Sequence, residues 1–216
     1  MTQSSHQKRR LDRTESAPVV EQAVRWEEID IAKRHPSILK KNSAVFLAVD
    51  LQEKLLPTME RRFEIVTRCR LLVEALRILE IPLLWTEQYP KGLGRTDPRT
   101  GIDRETDSIF EKTSFSAIGS LNLMERLKES KRSQIILCGI EAHVCVAQTA
   151  LDLSSAGFQV TLCCDAVSSR RKIDRTTALR RLEHSGIVLS TVEAVLFELL
   201  ERAGTEEFKK ILRLVK

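Results

Sequence analysis

No run of about 18 apolar residues occurs in the sequence, so no segment has the length to cross a bilayer as a helix. No apolar stretch follows Met1 in the manner of a secretory signal. Cysteine is sparse and odd in number: five residues, Cys69, Cys138, Cys145, Cys163 and Cys164, with no C-x-x-C pair. That pattern gives no disulfide framework and predicts a reducing, intracellular compartment, the cytoplasm. A mitochondrial location is the alternative, because the start of the chain is rich in arginine, but Asp12 and Glu15 break the acid-poor pattern of an import signal. The four histidines (His6, His35, His143, His184) are scattered, and no pair has the spacing of zinc ligands. A strong charge of one sign is also missing. The 35 basic and 30 acidic residues leave a net +5, and the signs are mixed along the chain. The densest basic clusters are Lys8-Arg9-Arg10 and Arg170-Arg171-Lys172, and they lend nucleic-acid binding only weak support beside the commoner reading of a solvated surface.

What is present is enough for one domain with a tail. Residues 1–18 are polar and without apolar period, and read as a disordered tail. Residues 19–34 carry Val20, Val24 and Ile31 at helical spacing, ended by Pro36. We therefore divide the chain into a tail, 1–36, and a domain, 37–216. In the domain, 44–49 is a continuous apolar run, a strand buried on both faces. Residues 61–79 have helical period, with Phe63, Val66, Leu72, Leu76 and Leu79 in one stripe. A strand starts at Leu83. Residues 88–106 hold Pro90, Gly92, Gly94, Pro98 and Gly101 and read as a long loop of the kind that often carries function. A short strand at 108–111 delivers Lys112. Then follow a helix at 121–127, a strand at 134–137, a helix from Ala147 closed by Gly157, and a strand at 158–164. A helix at 174–184, a strand at 187–190 and helices at 192–202 and 206–215 complete the chain.

Strands that alternate with helices predict an α/β fold: a three-layer, doubly wound, Rossmann-like sandwich around a parallel sheet. Ligands in such sheets bind beyond the carboxyl ends of the strands. The residues at those ends are Asp50, Thr86-Glu87, Lys112, the stretch 139–145 and Asp165. Asp50, Lys112 and Cys145 make a coherent set. A cysteine where a strand hands over to a helix meets free backbone N–H groups and a positive dipole end, which predicts a thiol pKa lowered from about 8.5 toward neutrality. A carboxylate can accept and return the thiol proton, an ammonium can hold both anions, and amides around Cys145 can hold an oxyanion.

At these residues the sequence resembles the isochorismatase-like cysteine hydrolase family. The matching words are Val49-Asp50-Leu51-Gln52-Glu53-Lys54, Thr86-Glu87-Gln88-Tyr89-Pro90-Lys91-Gly92-Leu93-Gly94, Glu111-Lys112-Thr113-Ser114-Phe115-Ser116, Cys138-Gly139-Ile140-Glu141-Ala142-His143-Val144-Cys145 and Asp165-Ala166-Val167-Ser168-Ser169-Arg170, with Ser185-Gly186 beyond. The resemblance implies an Asp50–Lys112–Cys145 triad and a central sheet of about six strands. It also implies a cis peptide before Glu141 that turns the Glu141 and Cys145 amides into an oxyanion hole. It places Gln52, Tyr89 and Ile140 at the substrate pocket, and implies dimers or larger rings. The family's nicotinamidase branch binds a metal through Asp-x-His; here Gln52 stands two residues after Asp50, so neither a metal nor a cofactor is expected.

The expected function is hydrolysis of an amide or related C–N bond in a small molecule, through a covalent thioester-type intermediate. Two other classes stay open: a non-catalytic interaction or scaffold protein, and a nucleic-acid-binding or processing protein. Each site residue has a plainer reading too. Cys145 is alternatively a small buried side chain, Asp50 a helix cap and Lys112 surface charge. Cys69, Cys138, Cys163 and Cys164 read as core. His143 stands two residues from Cys145, a spacing that turns side chains apart on a helix, and is left out. Asp165 reads as a strand-end turn residue, and Arg170 either binds an acidic substrate group or makes a subunit contact.

Overall fold

The six residues of β1, Ala44–Val49, are all buried, because the strand is covered on both sides. Ala44, Phe46 and Ala48 enter one apolar cluster and Val45, Leu47 and Val49 the other, the period-two alternation of a strand between two helical layers. The computed structural model describes residues 34–216, and the elements named here lie within His35–Lys216. The helix expected at 19–34 lies outside the described residues, apart from Arg34.

After β1 come α1 (Arg62–Ile78), β2 (Leu83–Gln88), α2 (Pro90–Leu93), β3 (Ser108–Lys112), α3 (Leu121–Ser130) and β4 (Gln134–Ile140). Then follow α4 (Ala147–Ser155), β5 (Gln159–Ser168), α5 (Lys172–His184), β6 (Val188–Ser190), α6 (Val192–Leu200) and α7 (Glu206–Val215). The six strands form one parallel sheet in the order β3-β2-β1-β4-β5-β6. α1, α6 and α7 pack on one face, and α3, α4 and α5 supply the cluster on the other. Strand order reverses between β1 and β4, and in a doubly wound sheet the crevice for a ligand opens there.

Three expectations need correction. The buried stripe of α1 is Ile65, Cys69, Leu72, Val73 and Leu76; Phe63 is 66% exposed and carries the Arg62 guanidinium 4.8 Å from its ring centroid. The stretch 88–106 is a loop only in part. It forms α2 and a turn at Pro98–Thr100 capped by Asp97, and the amides of Glu53 and Asp97 tie it to the chain after β1 through Arg95 O and Leu51 O, both at 2.9 Å. Finally, β5 runs to Ser168 instead of stopping before Asp165, with a register shift opposite Leu137 and Gly139. Asp165 is therefore inside a strand. Its carboxylate accepts the Val192 amide at the start of α6 (2.9 Å) and lies 3.6 Å from Arg68.

Candidate active site

β1 ends at Val49, which pairs with Thr86 of β2 on one side and Gly139 of β4 on the other. The chain turns immediately: Asp50 has φ +54°, a left-handed conformation that aspartate tolerates better than most residues. Gly139 has φ +125°, and a Cβ there would be built into the Val49 backbone. Only glycine lets β4 run this close to β1.

Asp50 is fully buried. One oxygen accepts the Thr86 hydroxyl at 2.7 Å and the other the Lys112 ammonium at 2.7 Å. Neither caps a helix, so the capping alternative falls. Lys112, last residue of β3, has no side-chain exposure, so surface charge is excluded as well. Its Nζ also donates to Gln88 Oε1 (2.6 Å) and approaches the carbonyls of Ser114 and Phe115 (3.2 Å each). A buried ion pair needs such additional partners to offset its desolvation.

Cys145 lies in a π-helical turn, Ala142–Val146, between β4 and α4, and is 7% exposed. The Glu141 carbonyl accepts the amides of Val144 (3.0 Å) and Val146 (3.2 Å) rather than that of Cys145. The Ile140–Glu141 peptide bond is cis. The Glu141 carboxylate takes the Arg170 backbone N–H and Nε, both at 3.1 Å, so Arg170 serves this turn. His143 faces away to Ser169 Oγ at 3.0 Å.

The electrostatics reverse one expectation. Burial first, and then the Asp50 carboxylate, push the Cys145 thiol up to about 12, while Lys112 pulls against them. The helix end favours the thiolate, but the desolvation that comes with a nearly closed site outweighs it. The resting group is a thiol facing a carboxylate, with a hydrogen bond to Asp50 among the effects that hold it up.

The pocket residues behave differently from one another. Tyr89 is 55% exposed and lines a cavity of about 550 Å³ at the end of β3. Gln52 is buried, with its amide engaged by Gln88 O (3.0 Å), Gly94 O (2.6 Å) and Gln88 N (2.7 Å). Ile140 is buried in the core cluster on the α1 side. Neither of these two lines that cavity. Two contributors carry no role in the sequence reading, Thr86 and Gln88. Their signal is the pairing of Val49 with Thr86 and of Gln88 with Lys112, and it becomes readable once strand order is known. Among the described residues no group of three His, Cys, Asp or Glu side chains is placed to hold a metal ion, and no helix is long and apolar enough to cross a membrane.

The isochorismatase domain matches residues 44–194, which takes in every residue of this site. Isochorismatase domain-containing protein 2 of Danio rerio is 43% identical over 182 residues, covering 82% of this chain and 89% of the relative. The structure described as MAR1 ribonuclease from Caenorhabditis elegans superposes with a TM-score of 0.77 at 40% identity, covering 82% of this chain and 91% of that one. The Escherichia coli YcaC product, described as an octameric hydrolase of unknown specificity, shares the fold (TM-score 0.78, 22% identity, 84% and 92% covered). On its sequence and its six-stranded parallel fold, the chain belongs to the isochorismatase family of hydrolases.

Proposed function

We propose that the chain hydrolyses an amide or related C–N bond of a small molecule, with Asp50, Lys112 and Cys145 as its catalytic residues. The observation that carries this reading is the buried Lys112–Asp50 pair set beside a thiol that has no standing charge. A thiol near 12 attacks only if its proton leaves as the C–S bond forms, and Asp50 is the base in reach. Cys145 Sγ adds to the carbonyl carbon as Asp50 takes the proton, and the carbonyl oxygen becomes an oxyanion on the Glu141 and Cys145 amides. Asp50 then returns the proton to the leaving nitrogen as the C–N bond breaks, which leaves a thioester. Water, deprotonated by Asp50, adds to the thioester. Collapse releases the carboxylic acid, and the proton goes back to sulfur. Lys112, 2.7 Å from the Asp50 carboxylate, holds it in orientation. Tyr89 lines the substrate side, and Gln52 fixes the Gln88 and Gly94 backbone behind it.

The test is a screen of small amides and ureas, run in parallel with Cys145→Ala. Turnover that falls at least about a thousandfold in the variant, with a substrate-derived mass on Cys145 in the native protein, is expected. Equal turnover in both proteins would remove the proposal.

A second reading comes from the name of the C. elegans relative, a ribonuclease. Against it, Arg170, whose partner Glu141 opens the turn of Cys145, is already paired, as are Arg171 with Asp174, Arg61 with Glu64 and Arg99 with Asp97. Cleavage of labelled RNA that is lost in Cys145→Ala would favour it, together with binding that weakens steeply with salt.

A further inference from the structure

The 550 Å³ cavity at the end of β3 extends past Tyr89 to the start of α3. α3 is a ten-residue helix whose N-cap, Ser120, makes no side-chain cap bond. Its hydroxyl finds no other partner among the described residues, yet Ser120 is only 9% exposed and lines the cavity. The amides of Leu121 and Asn122, on the same wall, donate to no acceptor among the described residues. Free first-turn amides and an unpartnered hydroxyl that faces the cavity are donors without a protein acceptor, at the positive end of a helix dipole. Lys91, in α2, brings an ammonium to the same wall and makes no ion pair among the described residues. Glu111 is the single carboxylate there, and it is exposed, so its repulsion is screened by water.

We infer that this cavity is an anion subsite that takes a phosphate-class oxyanion between Lys91 and the first turn of α3. Lys112 lines the same cavity, so the subsite adjoins the proposed catalytic centre. Assigning the anion to a substrate group rests on the proposed role of Cys145; the binding itself does not. Two sources share this chemistry, an acidic group carried by the substrate and a free phosphate ion.

The test is a titration of the full chain with inorganic phosphate at fixed ionic strength, followed by amide NMR, in native and Cys145→Ala protein. The Leu121 and Asn122 amides should shift saturably in both proteins. Ser120→Ala and Lys91→Gln should each weaken binding about threefold or more while the rest of the spectrum is kept. Lys91 is exposed, so its variant tests the site without disturbing the fold. Phenyl phosphate that binds there and slows alkylation of Cys145 assigns the site to a substrate group. Phosphate binding with unchanged alkylation assigns it to a free ion. Either result supports the subsite. Shifts that never saturate, that spread over the basic surface, or that persist in both variants would overturn it. Because Cys145→Ala is titrated as well, a failure of the catalytic reading and a failure of the subsite are seen separately.

Discussion

Asp50 raises the thiol it is proposed to deprotonate, and this gives a prediction with opposite signs in two assays. Asp50→Asn removes a negative charge that holds the Cys145 proton in place, so iodoacetamide should alkylate Cys145 faster near neutral pH. The same variant should lose hydrolysis, because the base is gone. Faster alkylation with retained turnover would contradict the role of Asp50 as the base. Stability follows the same thiol. A folded-state pKa of about 12 lies above the unfolded value, so the thiol's contribution is fully present below about pH 8.5 and is lost as pH rises toward 12. Urea titrations between pH 8 and 11 should show stability falling with pH, less steeply in Cys145→Ala; Cys138 and Cys163, whose burial also raises them, contribute in the same direction. The Lys112–Asp50 pair is buried at both ends, so Lys112→Met should cost about 3–5 kcal/mol by leaving the carboxylate alone. Adding Asp50→Asn to that variant should recover part of the loss without activity, a coupling that a double-mutant cycle measures.

At the scale of elements, the meeting of β1 and β4 is set by one glycine. Gly139→Ala places a methyl group in the Val49 backbone at a positive φ, and should cost more than about 3 kcal/mol or prevent soluble expression, as judged by urea unfolding. Thr149 of α4 accepts the Ala117 amide at 2.9 Å and steadies the segment whose Ser114 and Phe115 carbonyls receive Lys112. Thr149→Val should cost about 1–3 kcal/mol and lower turnover more than binding. The elements were readable where pattern is local. The all-apolar β1 announced a strand between two layers, and α7 begins and ends where its periodicity does. Asp165 misled because an aspartate at the end of an apolar strand run looks like a turn, whereas its carboxylate is satisfied by an amide 27 residues away. Phe63 misled because an aromatic beside a helical stripe looks like core, whereas it lies outward under Arg62.

For the whole molecule, the candidate site was legible as a list and not as an arrangement. Strand ends named Asp50, Lys112 and Cys145 together, but Thr86 and Gln88 join them only through the register of β1, β2 and β3. The thiol's state depends on closure of the site, which no spacing encodes. The family resemblance implies dimers or larger rings, and Phe63, Phe115 and Ile173 are apolar side chains 56–66% exposed in the single chain. Self-association is the expected outcome, and sedimentation velocity should show a species heavier than the 24.6 kDa chain; a monomer at tens of micromolar would contradict it.

The reversal of strand order also has a consequence for synthesis. The ribosome delivers β1, β2 and β3 first, and these already hold Asp50, Thr86, Gln88 and Lys112. Until β4 is made, the far side of β1 is an unpaired edge of six apolar residues, the kind of edge that recruits other chains. The segment that carries the proposed nucleophile is thus also the one that closes this edge. A nascent chain stalled near residue 133 should engage chaperones and aggregate on release, while the full chain, in which β4 covers β1 and β5 covers β4, should not.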